Sequence, residues 1–502
     1  MREPSRPPLA ASPQGLGLSG GTVVSIEVNG TRRQLHAESR TRLLDVLRGA
    51  CELSSVRDGC SVGMCGACTV LVDGSAVSSC LTLAVLCDGC RIQTAESLEA
   101  DGRLDPVAQA FLDARAFQCG YCTPGFVIAL RGLLDVEPSP SRSQLEVWLS
   151  GHICRCGSYS RILDAAEHAL RALASEESAG LQGDASQRTS DAPQRKNGAS
   201  DGRPAGRERR VSASPEFHAP EDLDEAIALL ATADGDGLVV AGATAVTLLL
   251  HHRLVWPSAL VSLRRVPGLD RVELAGGVLR VGALVTHARM ATDPLVVSHL
   301  PVLAETFAVV ANHRVRAAAT VGGVLAEADH ASDPPATLRA LDACAVVAGP
   351  GGERRVDVGD LVTGHYETSL RTGEVVVAVE VPLLPAGTSG AYLKFRSTAS
   401  EDRPCVGVAA FVRLAPGGIC EDLRVCVGAA CETPLRLPET EAAARGRRFD
   451  LTLVEEMAEA YASALRPVAD VRGSAWYRRE VTRVVVERAL WKSEPKEQGA
   501  AV

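Results

Sequence analysis

Eight cysteines in two tight groups constrain this chain more than any other feature. Cys60, Cys65 and Cys68 are spaced C-x4-C-x2-C within "DGCSVGMCGACTVLVDG", and Cys80 follows in "SSCLTLA". Cys119 and Cys122 form a C-x2-C in "QCGYCTPG", and Cys154 and Cys156 form a C-x-C in "GHICRCGSYSRI". Eleven of the sixteen cysteines precede residue 160, which concentrates the thiols in the first third of the chain. Such spacings converge thiolates on shared centres, whereas a disulfide framework belongs in a short secreted domain. The start, "MREPSRPPLAASPQGLG", has no apolar core and no twin arginine, so no signal peptide is expected. Metal ligation is therefore the better reading of the cysteines.

The first group has the spacing at which four thiolates of plant-type ferredoxins hold a [2Fe–2S] cluster. Gly59, Gly63 and Gly66 let backbone N–H groups come close to the sulfurs of such a centre. A zinc site is the alternative, but zinc prefers paired C-x2-C knuckles separated by a longer loop. In the second group a C-x2-C and a C-x-C together supply four ligands, both expected at helix ends, where the dipole favours negative charge. C-x-C is an uncommon half of a zinc knuckle. A redox-active dithiol would explain one pair and leave the other unexplained. Cys51, Cys87 and Cys90 read as ordinary small side chains.

Hydrophobic periodicity divides the 502 residues into several parts. Residues 22–96 read as a small sheet, with hairpins turning at Asn29-Gly30 and Asp73-Gly74 and a helix over "RLLDVLRG". Residues 97–174 carry four apolar-striped helical segments, with Pro124 near the start of the second. Residues 175–211 are rich in Ser, Gly, Asp and Arg and read as a flexible linker, the alternative being a regulatory or docking segment. From 212 onward the pattern is mixed helix and strand. "DLDEAIALLATA" is an amphipathic helix, "EVVVAVEVP" a strand and "SAWYRREVTRVVVERALW" a closing helix. A net charge of −9 gives no reason to expect nucleic acid or an anionic membrane as partner. No run of about twenty apolar residues predicts a membrane span.

Two stretches in the second half have small residues where a backbone can approach a ligand. "VVAGATAV" (239–246) is a strand with a small-residue turn, and "ATVGGVLAEADHASDPP" (319–335) contains a Gly-Gly pair. Both could bring N–H groups to a pyrophosphate, although such turns are commonly structural. No G-x-G-x-x-G follows a strand, so a Rossmann site is not supported.

The order of these motifs resembles the molybdenum hydroxylases, the family of xanthine dehydrogenase, aldehyde oxidoreductase and carbon monoxide dehydrogenase. "GMCGACTVLVDGSAVSSCLTLA" and "QCGYCTPGFV" match the family's patterns almost letter by letter, and "CRCGSY" follows in order. His152-Ile153 and Gly157-Ser158 stand where the family usually has Asn-Leu/Ile and Thr-Gly around the C-x-C. The resemblance implies an α+β multidomain fold. It comprises a ferredoxin-like β-grasp domain (22–96), a four-helix [2Fe–2S] domain (97–174) and, beyond the linker, a PCMH-type (vanillyl-alcohol-oxidase-like) FAD domain (212–387). An α/β C-terminal flavoprotein domain (388–492) completes it. It also implies that the helical cluster lies nearest a molybdenum pterin, that Gln118 contacts that pterin, and that the first cluster relays toward FAD.

For the flavin, the resemblance places Ala241, Gly242, Ala243 and Thr244 around the pyrophosphate, joined by Thr320, Gly322 and Gly323. Val239, Val240, Ala245, Val246 and Ala319 flank these loops, and Asp333 and Lys394 match positions that contact FAD. On the residues alone, Asp333 reads as an N-cap and Lys394 as a solvated lysine. Three departures bear on FAD: Ala243 replaces a glycine, Val324 stands where Asn or Ser is usual, and Thr398 and Ala399 replace arginines. No catalytic acid or base is expected. The molybdopterin would belong to a partner large subunit in a cytoplasmic hetero-oligomer, with NAD+, quinone or O2 as electron acceptor. Fusion of the parts in this order resembles the small subunit of bacterial xanthine dehydrogenases. The ending is closer to the carbon monoxide dehydrogenase type, so purines, aldehydes, N-heterocycles and carbon monoxide all stay open as substrates of the complex. The alternatives are a self-sufficient FAD/iron–sulfur NAD(P)H reductase and a zinc-stabilised scaffold.

Overall fold

A computed structural model describes residues 21–180, 214–233, 236–397 and 402–495. Its first part begins with the hairpin Thr22–Val28 and Thr31–Ala37. Asn29 and Gly30 both take positive φ (50° and 78°), the turn whose twist matches the flanking strands. Asp73 and Gly74 (48° and 83°) make a second such turn between Thr69–Val72 and Ser75–Ser78. Strand Arg91–Gln93 joins the hairpins, parallel to the first strand and antiparallel to the third. Val24, Ile26 and Val28 face the buried Leu43, Leu44 and Leu47 of helix Leu43–Arg48. The loop between that helix and the third strand holds Cys60, Cys65 and Cys68; Cys80 follows the fourth strand.

Four helices come next: Pro106–Asp113, Thr123–Leu134, Arg142–Leu149 and Tyr159–Gly180. Asp105 caps the first, and Ser141 with Gln144 forms a capping box on the third. Phe111, Phe126, Leu130, Leu145 and Ile162 fill the space between them. The fourth helix continues to Gly180, into the expected linker, because "SEESAG" prolongs it with residues that add little cost to an existing helix. The rest of the expected linker lies outside the described residues.

The second half opens with a small parallel sheet in the order Glu216–His218, Ala259–Ser262, Gly237–Val240. Past the Ala241–Ala243 turn the chain becomes helix Thr244–His251. A five-stranded antiparallel sheet follows, ordered Val272–Ala275, Val278–Gly282, Val375–Pro382, Cys344–Gly349, Gly352–Asp357. Most of its helices lie between residues 287 and 340. The last part is the sheet Thr388–Phe395, Val406–Ala415, Ile419–Gly428, Leu435–Arg436, antiparallel throughout. Helices Pro438–Ala444, Leu451–Ala464 and Ala475–Lys492 come after it. This corrects the α/β expectation for the C-terminal part. Tight hairpins such as Gly417-Gly418 leave no crossover for parallel strands, so helices and strands segregate.

The parts share cores. Val240, Ala243, Leu250 and Leu260 from the second half pack into the same cluster as Leu81, Leu83 and Val85 of the first. Thr247 donates its hydroxyl to the Leu81 carbonyl at 3.1 Å and Arg264 donates to the Leu86 carbonyl at 2.6 Å. No helix among the described residues is long and apolar enough to cross a membrane.

Candidate metal centres and cofactor cavity

The loop after the first helix turns its amides onto sulfur. The Val62 and Cys65 N–H groups donate to Cys60 Sγ at 3.5 and 3.3 Å. The Ala67 amide donates to Cys65, and the Gly63 amide to Cys80. The four thiols also bond one another: Cys60 to Cys65 and Cys80, and Cys68 to Cys80. They split in acidity accordingly. Cys60 is held below the ordinary thiol range by the Cys65 and Cys80 thiols, and Cys68 falls to about 7 through Cys80, while bonding to Cys60 pushes Cys65 and Cys80 up. Crowded thiols cannot all ionise unless a cation compensates them.

The second group is built the same way. Cys122 caps helix Thr123–Leu134, and Cys154 and Cys156 lie in the turn before helix Tyr159–Gly180. The Cys119 thiol meets Cys156, and Cys122 meets Cys154. Burial pushes Cys122 up to about 12. Burial also opposes ionisation of Cys154, but the Ser158 amide, the Cys122 thiol and the Cys156 and Gly157 amides outweigh it. Gln118 donates to the Cys156 carbonyl at 3.3 Å and lies 3.5 Å from Ser158 Oγ. Cys119 is exposed, so this centre reaches the surface.

The spread of the sulfurs separates the metal readings. A tetrahedral zinc with ~2.3 Å bonds brings its sulfurs within about 3.8 Å of each other. Among the described residues, no three cysteine sulfurs lie within 4.8 Å of one another. The donor set of each quartet, four thiols with backbone amides turned onto them, fits a [2Fe–2S] cluster. Cys51, Cys87 and Cys90 are buried in the core of the first part, and burial raises Cys87 to about 12 and Cys90 to about 11.

The two centres are joined directly. Ile153 N–H, next to Cys154, donates to the Cys65 carbonyl at 3.0 Å. Arg57 donates to the Gly120 carbonyl at 2.5 Å, and Tyr121 to the Asp58 carbonyl at 2.8 Å. A Cβ on Gly125 would stand 2.3 Å from the Gly66 carbonyl oxygen, and one on Gly66 would stand 2.2 Å from the His152 ring. Only glycine permits that approach.

A cavity of about 870 Å³ opens on the other side of the first loop. Val62, Gly63 and Met64, between Cys60 and Cys65, form part of its wall. Leu81 adds to it, and the rest comes from the second half, where Val239, Ala241–Val246, Ala319, Thr320, Gly322, Gly323, Asp333 and Lys394 all face the cavity. Val240 does not line it, because its side chain points into the shared core and is fully buried. Two glycines hold the wall together. A Cβ on Gly242 would lie 1.8 Å from the Ala318 carbonyl oxygen, and one on Gly322 2.5 Å from Ala283 Cβ. The cavity and its small-residue turns fit an extended dinucleotide such as FAD. Ala243 keeps the left-handed φ of 60° that a glycine would take more readily, and Val324 lines the cavity without a polar group. Thr398 and Ala399 lie outside the described residues.

Asp333 and Lys394 form a buried pair and not the cap and solvated lysine their sequence suggests. Lys394 Nζ donates to Asp333 Oδ2 at 2.9 Å and to the Val309 carbonyl at 2.8 Å, and Tyr392 donates to Asp333 Oδ1 at 2.7 Å. Burial raises the Asp333 carboxyl and lowers the Lys394 ammonium. Glu327, also on the cavity wall, rises to about 7 through burial and the neighbouring Asp329. Asp329, His330 and His365 are the one group of three candidate ligands within 4.8 Å among the described residues. It is closed as a cation site: Arg403 pairs with Asp329 Oδ2 at 2.6 Å, the Ala331 amide takes Oδ1, and the two imidazoles bond each other at 2.7 Å. Sequence reasoning missed Arg314 and Asn312, which reach into the first loop from the second half. Asn312 donates to the Gly63 carbonyl at 3.0 Å.

Comparison with known proteins agrees with this geometry. Residues 94–167 match the [2Fe-2S] binding domain family, 211–384 the FAD binding domain in molybdopterin dehydrogenase, and 391–493 the CO dehydrogenase flavoprotein C-terminal domain. The chain is 35% identical over 273 residues to the 6-hydroxypseudooxynicotine dehydrogenase complex subunit alpha of Paenarthrobacter nicotinovorans, covering 54% of this chain and 92% of that one. It is 41% identical over 151 residues to the nicotinate dehydrogenase small FeS subunit of Eubacterium barkeri, covering 30% and 96%. A solved carbon monoxide dehydrogenase from Hydrogenophaga pseudoflava superposes with a TM-score of 0.54 at 32% identity, over 56% of this chain and 96% of that one.

Proposed function

We infer the role of this chain from its family: it belongs to the molybdenum hydroxylases, with iron–sulfur and flavin parts, separate subunits in some relatives, fused in one polypeptide. We propose that it is the electron-transfer subunit, taking electrons from a molybdopterin in a partner large subunit and delivering them to NAD+, quinone or O2. When bound, two [2Fe–2S] clusters supply one-electron steps and FAD converts them to two-electron chemistry. Cys60, Cys65, Cys68 and Cys80 hold the first cluster, and Cys119, Cys122, Cys154 and Cys156 the second. The cavity turns at 239–246 and 319–323, with Asp333 and Lys394, hold FAD. Gln118, beside the exposed second centre, faces the partner's pterin.

The observation that carries this reading is the position of the first loop. It forms part of the cavity wall through Val62–Met64 and accepts a hydrogen bond from the second loop through Cys65. The three cofactor sites thus stand in one order: second centre, first centre, cavity. No side chain in that line needs to move a proton. What this chain supplies is spacing, amide donors to sulfur and exclusion of water.

In finer detail, we read residues 22–96 as a ferredoxin-like β-grasp domain, 97–174 as the helical cluster domain, 212–387 as a PCMH-type FAD domain and 388–492 as the C-terminal flavoprotein domain. The strand order of the first sheet and the family matches support that division. None of the sixteen cysteines is paired in a disulfide, which suits a reducing compartment, and we place the complex in the cytoplasm.

The test is spectroscopic. The full-length chain, purified without air, is expected to hold about four irons and one flavin. After reduction it should give two ferredoxin-like paramagnetic signals, and its native complex should contain molybdenum. A colourless zinc protein would overturn the reading. NAD(P)H oxidation by the chain alone, with no molybdenum subunit in its native complex, would replace it with a self-sufficient reductase.

A further inference from the structure

A guanidinium without an acidic partner lies where the parts of this chain meet. Arg314 belongs to helix His313–Ala318 in the second half, yet its side chain reaches into the iron–sulfur half and is 1% exposed. Its Nε–H donates to Ser78 Oγ at 3.2 Å. Its Nη2 donates to the Gly151 carbonyl at 2.6 Å and to the Met64 carbonyl at 3.3 Å. Its Nη1 lies 3.2 and 3.3 Å from the two ring nitrogens of His152.

No hydrogen-bond partner of this cation is a carboxylate, and among the described residues no carboxylate forms an ion pair with it. A charge buried in this way needs an opposite charge nearby. Its bonds to Met64 and Ser78 hold the guanidinium against the first cysteine loop, whose thiolates would supply that charge around a cluster. Met64 immediately precedes Cys65, and Ser78 stands two residues before Cys80.

We propose that Arg314 is the counter-charge of the first cluster, a positioning residue sent from the flavin-binding half that raises the cluster's reduction potential. The inference rests on the reading of the cysteines given above. A [2Fe–2S] tetrathiolate is anionic and gains a further negative charge on reduction, so a fixed buried cation stabilises the reduced form more than the oxidised one. The sign follows: removing the cation lowers the potential. Because the cation arrives from the other half, the first cluster reaches its working potential only when the two halves are docked.

The test is a redox titration of the full-length, cluster-loaded chain followed by paramagnetic resonance. The second-cluster signal is assigned as the one that Cys119→Ser perturbs. Arg314→Gln removes the charge. Ser78→Asp leaves the arginine in place but neutralises it. Arg314→Lys keeps a cation. The first two variants are expected to disfavour reduction of the first cluster at least tenfold, 59 mV for one electron, with a smaller change at the second. Arg314→Lys should stay near wild type. If Arg314→Gln does not load iron, Ser78→Asp decides. Two normal signals with an unmoved first potential in the neutralised variants would overturn this inference alone. Absence of both signals in the wild-type chain would overturn the cluster assignment beneath it.

Discussion

Gly125→Ala sets helix propensity directly against packing. Gly125 lies in the first turn of helix Thr123–Leu134, and replacing a helical glycine by alanine ordinarily gains up to about 1 kcal/mol. Here the new Cβ would stand 2.3 Å from the Gly66 carbonyl oxygen, and real Cβ contacts essentially never fall below 3.0 Å. The loop must retreat by about 0.7 Å, the difference between those distances. It cannot do so freely, because Gly66 has φ +75° and is pressed on its other side by the His152 ring. Gly132→Ala on the same helix is the control. Its Cβ would meet Leu71 Cδ2 at 2.6 Å, the end of a side chain that can rotate away. Overpacking of this kind costs about 1–3 kcal/mol. The control should therefore lie within about 1–2 kcal/mol of wild type once the helix gain is subtracted. Gly125→Ala should lose at least about 2 kcal/mol, at the upper end of that range. Because Gly66 sits between the ligands Cys65 and Cys68, it should also lose iron from the first centre. Urea midpoints by far-ultraviolet dichroism and iron per chain measure both effects. Full iron in Gly125→Ala, with a midpoint at or above that of Gly132→Ala, would refute the close approach of the two cluster loops.

Three further outcomes test the cavity. Gly242→Ala puts a methyl 1.8 Å from the Ala318 carbonyl oxygen, so flavin absorbance per chain should fall at least tenfold while iron stays constant. Lys394→Met strands the buried Asp333 carboxylate and should cost about 3–5 kcal/mol, most of it recovered in the double variant with Asp333→Asn; denaturant titration of the four-member cycle reads this directly. The Glu327 carboxyl is raised from 4.5 to about 7, so its contribution is fully present below 4.5 and is lost as pH climbs through 7. The flavin-free chain should lose up to about 3 kcal/mol over that window, and Glu327→Gln should flatten the profile.

The two cysteine quartets were legible because their members come from short loops whose spacing and glycines are visible in the text. The hairpins at Asn29-Gly30 and Asp73-Gly74 were legible for the same reason, since two residues determine the turn. What escaped reading is non-local. Arg314 bonds Ser78 and Met64, 236 and 250 positions earlier in the chain, and nothing near Arg314 announces either partner. Asp333 looks like a cap because a helix follows it, but its oxygens go to Tyr392 and Lys394, 59 and 61 positions later. The antiparallel C-terminal sheet was missed because apolar strands read alike whichever way their neighbours run. The cavity turns gained meaning only from the resemblance, since Ala243 and Val324 dilute the phosphate-loop pattern.

The close contacts in this chain gather where its cofactor sites meet. Gly66 against Gly125, Gly151 against Asn312 and Gly63 against Leu81 all leave no room for a side chain. The first holds the first cysteine loop against the helical part, the second holds the helical part against the second half, and the third folds the loop onto its own domain. Electron transfer weakens steeply with distance, so the same sub-ångström tolerance governs both docking and transfer. Cys119 is exposed while Cys68 and Cys80 are buried. The exposed edge of the second, outer centre is thus within reach of a second protein, while the first, inner centre is part-buried at Cys60 and Cys65. Fusing the two halves into one polypeptide keeps Arg314 at high effective concentration beside the inner centre, which a separate subunit would have to achieve by affinity.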